Sequence, residues 1–262
     1  MPNALIAGID SAIGKFIADS LDSNDWKVFG TTRRENSLKS SKIFYCDFLN
    51  QESIDESCLM VNKLVDSIDL LVVAVGLLEP IGKFRSIDFD SWESGFYINC
   101  LGPLRFINRL LPQLSKQSNS MVITFAGGGI NSSPEQYSSY TLSKVALTKS
   151  MELLSTEEPN IKFISLGTGW IETPIHNQTI KAGANAGSAL IETFRRYESK
   201  DFVDINKIME FIQWAQSESG RVISGRNFSL RNDNWSAGAL REKLLQDNNF
   251  YKLRRFGNDE KV

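Results

Sequence analysis

The chain has 262 residues, of which 42% are hydrophobic and 23% charged, so it holds enough apolar material for one sizeable core. Its formal net charge is −2 and no run of lysine or arginine stands out, which argues against a nucleic-acid partner or an anionic membrane surface. The three cysteines are far apart and there is a single histidine, so we expect neither a disulfide framework nor a metal site.

The N-terminal residues give no sign of targeting. The segment MPNALIAGID lacks a basic region followed by an apolar stretch and a cleavage site, so no signal peptide is expected. The longest apolar run, Leu70 to Leu78, is too short to cross a bilayer. We therefore expect a cytoplasmic protein without a membrane segment.

Apolar runs alternate with amphipathic segments along much of the chain. Strands are predicted at residues 4–8, 26–32, 43–47, 69–76, 121–129, 161–167 and 222–230. Helices are predicted at residues 13–21, 53–65, 92–114 and 140–158, and polar segments at 168–188 and in the tail to residue 262. Continuous apolar strands that alternate with helices are typical of a parallel sheet covered on both faces. With no repeat or linker visible, we predict one domain over residues 1–262.

The first predicted strand runs into a glycine-containing turn and then a helix, in the sequence GIDSAIG of residues 8–14. Glycine permits unusual backbone angles at such a turn, and a helix N-terminus directs N–H groups and a positive dipole end at a phosphate. The position favours a nucleotide-binding loop that includes Gly8, Ser11, Ile13 and Gly14. An ordinary strand-to-helix turn is the alternative.

The end of the second predicted strand indicates which cofactor the loop would bind. An acidic residue there would hydrogen-bond the ribose of NAD, whereas arginine would meet the additional phosphate of NADP. The sequence at this point is Thr31-Thr32-Arg33-Arg34, without an acid. NADP is therefore favoured and NAD stays possible, although both arginines could also be solvated loop charges.

Tyr140 and Lys144 are four residues apart, so on a helix they share one face. A free phenol has a pKa of about 10. We expect the Lys144 ammonium to stabilise the phenolate and lower the pKa of Tyr140, so that the tyrosine can exchange a proton with a substrate.

In the order and spacing of its motifs, the chain resembles the short-chain dehydrogenase/reductase family over almost its whole length. The resemblance rests on Gly8 with Gly14, Asp47, Gly76, Asn99 with Gly102, Tyr140 with Lys144, and the run from Gly169 to Pro174. It implies an α/β fold with a Rossmann-like, doubly wound parallel sheet in three α/β/α layers. It also implies an NAD(P)-dependent oxidoreductase that moves a hydride between nicotinamide C4 and a carbonyl or alcohol carbon.

The resemblance further implies roles for single residues. Tyr140 would be the acid/base and Lys144 would hydrogen-bond the nicotinamide ribose, while Asn99 would hold a water in a proton relay. Asp47 would lie by the adenine and Thr173 would contact the nicotinamide carboxamide. The cofactor site would also include Gly8, Ser11, Ile13, Gly14, Arg33, Arg34 and Gly76. Each of three residues has a structural alternative: a turn for Asp47, local hydrogen bonding for Asn99 and a helix N-cap for Thr173.

Several positions depart from the family pattern. Gly127 stands where the family carries its catalytic serine, and losing such a hydrogen bond can cost on the order of 10²-fold in rate. Ser132, Ser133 or Thr124 could substitute, as could a water or a substrate hydroxyl, although none of these residues has the matching spacing. The family's Asn-Asn-Ala-Gly is replaced by Val73-Ala74-Val75-Gly76, and its middle loop glycine by Ala12. These changes leave open a second reading, a cofactor-binding regulator or partner subunit with impaired catalysis.

The substrate is predicted from two features. The three glycines from Gly127, together with a C-terminal Asp233-Asn234-Trp235, resemble a subgroup that we associate with bacterial surface-polysaccharide and sugar-nucleotide gene clusters. The segment near 175–200 lies where the family carries a mobile lid, and its polar residues favour a sugar or sugar nucleotide over a steroid or acyl chain. We expect His176, within it, to be a surface residue.

The family resemblance also implies a homodimer or homotetramer, formed partly through the helix that carries Tyr140.

Overall fold

The computed structural model describes residues 1–38, 40–116 and 118–255, and a single parallel sheet forms its centre. The strands are β1 (Asn3–Ala7), β2 (Lys27–Thr32), β3 (Ile43–Tyr45), β4 (Leu70–Val73), β5 (Met121–Ala126), β6 (Lys162–Gly167) and β7 (Arg226–Ser229). Their order across the sheet is β3-β2-β1-β4-β5-β6-β7, and every neighbouring pair is parallel. The strand order reverses between β1 and β4, which is where open α/β sheets bind ligands, at the carboxyl ends of the strands.

Helices cover both faces of this sheet. They are α1 (Ala12–Asp22), α2 (Gln51–Leu64), α3 (Phe89–Phe96), α4 (Gly102–Leu114), α5 (Ser138–Glu157), α6 (His176–Ala182), α7 (Ser188–Ser199), α8 (Asn206–Ser217), α9 (Gly220–Ile223) and α10 (Gly238–Gln246). Side chains of α2, α4 and α5 form one apolar core with one face of the strands, and those of α1, α8, α9 and α10 form a second core with the other face.

Alternation along the strands explains why two cores form. Leu5 and Leu71 belong to the first core, whereas Ile6 and Val72, one position along, belong to the second, and all four are fully buried. Successive side chains of a strand point to opposite faces, so a strand buried on both sides must be apolar throughout. The predicted Rossmann-like, doubly wound sheet in three layers is confirmed.

Two predicted elements are wrong in detail. The long helix predicted at 92–114 is interrupted: α3 ends at Phe96, a π-helical turn covers Tyr97–Leu101, and Pro103 lies in the first turn of α4, where its missing N–H costs nothing. The strand predicted at 222–230 is only β7, because Val222 and Ile223 are buried as part of the helical turn α9. Three further predicted strands, 43–47, 69–76 and 121–129, end two or three residues early.

The C-terminal segment is folded against the sheet as far as Tyr251, although its sequence is polar. The Arg226 guanidinium is buried and donates to the backbone carbonyls of Leu244, Asp247 and Phe250, which ties the end of α10 to β7. No helix in the described part of the chain is long and apolar enough to span a bilayer.

Candidate active site

The loop between β1 and α1 is a tight turn whose glycines leave no room for side chains. Gly8 has φ +76, and a Cβ built on Gly14 would lie 2.2 Å from the Gly8 carbonyl oxygen. The Ser11 hydroxyl accepts a hydrogen bond from the Gly14 N–H at 3.0 Å and caps α1, whose first turn carries no acidic residue. Ile13 packs into the second core and fixes the helix on the sheet. A negatively charged phosphate fits such an uncompensated helix N-terminus.

The two arginines predicted to read the cofactor phosphate lie directly after β2, and both are exposed. Arg34 is ion-paired: its Nε is 3.1 Å from Oδ2 of Asp10, a residue of the β1–α1 loop. The pair joins the two loops that would surround an adenine ribose, and it places a carboxylate beside the positive charge.

Three other predicted cofactor residues lie along the same edge of the sheet. Asp47 forms a turn, because its Oδ1 accepts from the Leu49 N–H at 3.0 Å. Gly76 is exposed, and a Cβ there would lie 3.9 Å from the Nζ of Lys144. The helix-cap alternative for Thr173 is wrong, because Ile175 occupies the N-cap position of α6 and no side chain caps it.

Asn99 is fully buried in the π-helical turn between α3 and α4. Its Oδ1 accepts from the Leu77 N–H at 2.9 Å and its Nδ2 donates to the Leu77 carbonyl at 2.7 Å. The side-chain amide is thus bound to the backbone that follows β4, as the local-hydrogen-bonding alternative predicts. A water relay at Asn99 stays a prediction.

Tyr140 and Lys144 project from one face of α5, as their spacing predicts, but burial dominates their electrostatics. Lys144 is 3% exposed, and its Nζ donates to the Val75 carbonyl at 3.4 Å and lies 6.0 Å from the Tyr140 ring centroid. Burial lowers the pKa of Lys144 to about 8 and raises the pKa of Tyr140 to about 12. The expectation that Lys144 lowers the pKa of Tyr140 is wrong here, because desolvation disfavours the charged form of each group.

Gly127 lies directly against this pair. A Cβ built on it would be 2.8 Å from Cε1 of Tyr140 and 2.8 Å from Cγ of Lys144. Of the predicted serine substitutes, Thr124 is fully buried within β5, and Ser132 and Ser133 are exposed in the following loop. The space that a serine side chain would occupy at position 127 holds the tyrosine ring.

An apolar cluster, which sequence reasoning missed, covers Tyr140 from the side of the lid segment. The sequence did contain a signal for this cluster, because apolar residues recur at spacings of three and four between 182 and 190. The polar residues between them obscured that pattern. The cluster contains Leu78, Ile81, Tyr137, Tyr140, Ile175, Ala182, Ala186, Ala189 and Leu190. Beside it a groove of about 630 Å³ opens between α3 and the end of α6.

Polar residues of the lid segment hold it in place. Gln178 Oε1 accepts from the Leu78 N–H at 2.8 Å and the Glu79 N–H at 3.2 Å, and the Tyr137 hydroxyl donates to Thr179 Oγ1 at 3.0 Å. These bonds fix α6 on the backbone after β4 and on the start of α5. Gln178, one of the polar residues of this segment, is therefore used within the protein.

His176 is not the surface residue that the sequence predicts. Its ring is half-buried and stacks on Trp170, with centroids 4.4 Å apart and an interplanar angle of 3°, and its Nε2 lies 2.9 Å from the Ile171 carbonyl. Burial lowers the pKa of the His176 imidazole. The stacking joins α6 to the loop after β6 and identifies His176 as a structural residue of the lid segment.

Comparison with known proteins finds a family model and relatives that are named as dehydrogenases, oxidoreductases or reductases. Residues 2–183 match the family described as short chain dehydrogenase. The uncharacterized oxidoreductase YIR035C of Saccharomyces cerevisiae is 31% identical over 179 residues, which are 64% of this chain and 70% of the yeast protein. A fatty acyl-CoA reductase of Acinetobacter baylyi is 27% identical over 186 residues, which are 66% of this chain and 63% of that protein.

Solved structures match the fold. The crystal structure of the yeast protein YIR035C superposes with a TM-score of 0.77 at 24% identity, over 92% of this chain and 99% of that one. A short chain dehydrogenase of Shigella flexneri, described as complexed with NADP, superposes with a TM-score of 0.73 at 17% identity, over 88% of this chain and 97% of that one.

The two hydrogen bonds to Gln178 predict how the lid segment responds to mutation. Gln178→Ala leaves the Leu78 and Glu79 N–H groups without their acceptor, which we expect to cost about 1–3 kcal/mol and to speed deuterium uptake at both amides. Gln178→Glu keeps an acceptor and should restore protection, and Asn177→Ala, at an exposed position, should change neither amide. Equal uptake in wild type and Gln178→Ala would contradict this prediction.

Proposed function

The chain belongs to the short chain dehydrogenase family, and on that premise we propose that it is an NADPH-dependent carbonyl reductase in which Tyr140 donates the proton. Family membership makes it an NAD(P)-dependent oxidoreductase, as the sequence predicts. The observation that carries the finer proposal is the pairing of a half-buried Tyr140 with a buried Lys144 at the carboxyl end of β5. Burying an ammonium group is costly, and such perturbed groups cluster at functional sites.

The proposed reaction converts a carbonyl into an alcohol. When bound, a reduced nicotinamide supplies the hydride that the carbonyl carbon receives. The Tyr140 phenol, which its raised pKa keeps protonated, gives its proton to the carbonyl oxygen. Lys144 then stabilises the resulting phenolate with its ammonium, held in place by the Val75 carbonyl. The raised pKa makes the phenol a weaker acid, so the transfer depends on this stabilisation of the phenolate by Lys144.

The residues proposed to hold the cofactor follow the edge of the sheet. The β1–α1 loop, with Ser11, would bind the pyrophosphate, and Asp47 would lie by the adenine. Arg33 and Arg34 follow β2 without an acidic residue, which supports NADP over NAD. Thr173 would contact the carboxamide.

Two substrate classes follow from different observations. The apolar cluster over Tyr140 and the adjoining groove, with Leu77, Pro80 and Ile98 in its wall, favour a carbonyl compound with an apolar body. Lys181 and Asn185 at the same groove would suit a polar end of the molecule. The predicted sugar or sugar nucleotide is the second candidate, since Asn177 is exposed on α6 and Asn185 lines the groove.

A cofactor-binding regulator with impaired catalysis is the proposal from another class. Gly127 and the apolar Val73-Ala74-Val75 motivate it. Against it, Lys144 lies beside Tyr140 on one face of α5, as proton transfer by the tyrosine would require. The predicted oligomer also stays a proposal: Leu142 and Leu153 of α5 are 51% and 54% exposed and could contact a second copy.

Tyr140→Phe tests the central role directly. We expect NADPH to bind as in wild type, because the ring and its packing remain, while single-turnover oxidation of NADPH by apolar ketones, aldehydes and keto-sugars falls by about 10²-fold or more. Wild-type turnover of only one class would identify the substrate class. An undiminished rate in the variant would reject Tyr140 as the acid; NADPH binding without any turnover by wild type would favour the regulator.

Asp10→Asn tests the proposed phosphate readers. Removing this carboxylate frees Arg34 and takes a negative charge from the loop, so NADPH should bind roughly threefold to tenfold tighter, the scale of an exposed ion pair, while NADH changes little. Asp22→Asn removes the same charge from the exposed end of α1 and is the control. Equal tightening of both nucleotides, or a wild-type preference for NADH, would remove the arginines from the proposal.

A further inference from the structure

Gly127 is in close contact with the two residues proposed to carry the chemistry. A Cβ built on its backbone would lie 2.8 Å from Cε1 and 2.9 Å from Cζ of Tyr140, the carbon that bears the hydroxyl. It would also lie 2.8 Å from Cγ of Lys144. Such distances are well inside the 3.5–4.0 Å at which carbon atoms attract, so any side chain would force the phenol or the lysine stem to move.

Neither neighbour can move without cost. The Lys144 stem is buried, and its Nζ is held by the Val75 carbonyl. Tyr140 packs against the apolar cluster of Leu78, Tyr137 and Ala186, and its backbone carbonyl accepts from the Ser143 hydroxyl at 2.7 Å. Overpacking of this kind drives side chains off their rotamers and shifts the backbone.

The neighbouring glycine shows that the restriction is local. A Cβ on Gly128 would meet no atom within 4 Å, so the loop after β5 has room for side chains one residue further on. The backbone of Gly127 does not require glycine either, because its φ is outside the left-handed region. The requirement at position 127 is therefore the space that Tyr140 and Lys144 occupy.

We propose that Gly127 is a positioning residue: its missing side chain lets the Tyr140 phenol settle against the end of β5, and a serine there displaces the phenol. This deepens the proposed function and rests on it where activity is concerned. A displacement of about 1 Å at a reacting group can cost about 10²-fold in rate. The Tyr140 ring thus occupies the space in which a serine side chain at position 127 would lie.

Kinetics of Gly127→Ser and Gly127→Ala test the placement. We expect both to lower kcat by at least about 10-fold with NADPH while KM for NADPH changes less than about threefold, because the β1–α1 loop is untouched. Gly127→Ser should be no faster than Gly127→Ala. Wild-type or higher kcat in Gly127→Ser would overturn the proposal, since the serine would then be aiding catalysis.

A stability cycle tests the same contact without relying on turnover. Gly127→Ala should lower the urea midpoint of the wild type clearly but that of Tyr140→Ala less, because the ring contact is gone and only the contact with the Lys144 stem remains. Gly128→Ala is the matched control and should show no such coupling to Tyr140. Equal losses from Gly127→Ala in both backgrounds would overturn the inference. If the wild type turns over no carbonyl compound, the proposed function fails, and this cycle still decides the placement of Tyr140.

Discussion

The contact between the Tyr140 ring and the backbone of Gly127 is the constraint on which the candidate site depends. It brings the helix α5 close to the end of β5, so that the phenol and the Lys144 stem share a space that leaves no room for a side chain at position 127. Tyr140 also belongs to the apolar cluster that contains Ile175 and Leu190 of the lid segment. The ring therefore lies at the end of β5 and is half-buried beside the lid segment.

Desolvation determines the protonation states of Tyr140 and Lys144. In water, an ammonium beside a phenol favours the phenolate. In a desolvated site, the loss of hydration disfavours the charged form of each group and outweighs that attraction. The pKa of Tyr140 is therefore raised and that of Lys144 lowered, so the tyrosine is a protonated phenol at neutral pH. The proposed proton transfer then depends on the Lys144 ammonium to stabilise the phenolate that it leaves.

The sequence is sufficient to predict much of the fold. Residues 4–7 and 70–73 are apolar throughout because their strands are buried on both faces, and this pattern can be recognised without knowing which elements pack against them. The break at Tyr97–Leu101 was missed: it contains Asn99, whose side chain bonds to the backbone of Leu77, and a contact between residues 22 apart is not visible in the local sequence pattern. The turn α9 was missed because Val222 and Ile223 fit a strand equally well.

Spacing predicts that Tyr140 and Lys144 share a helix face, but it does not predict how deeply they are buried. The sequence shows that glycine stands at position 127 in place of the serine. It does not show why, because the reason is the close approach of the Tyr140 ring, which belongs to the separate element α5. The lid shows the same limit: Gln178 and His176 look like solvent-facing residues in the sequence, and only the fold brings Gln178 to the backbone of Leu78 and His176 to Trp170.

The protonation of Tyr140 is the most direct test of this account. Proteins labelled at the tyrosine ring carbons can be titrated by NMR, with Tyr140→Phe assigning the signal. The account predicts that Tyr140 stays protonated beyond pH 10, above the ordinary pKa of about 10, while exposed tyrosines ionise. Ionisation of Tyr140 below about pH 9 would contradict it, and would mean that the charge of Lys144 outweighs burial.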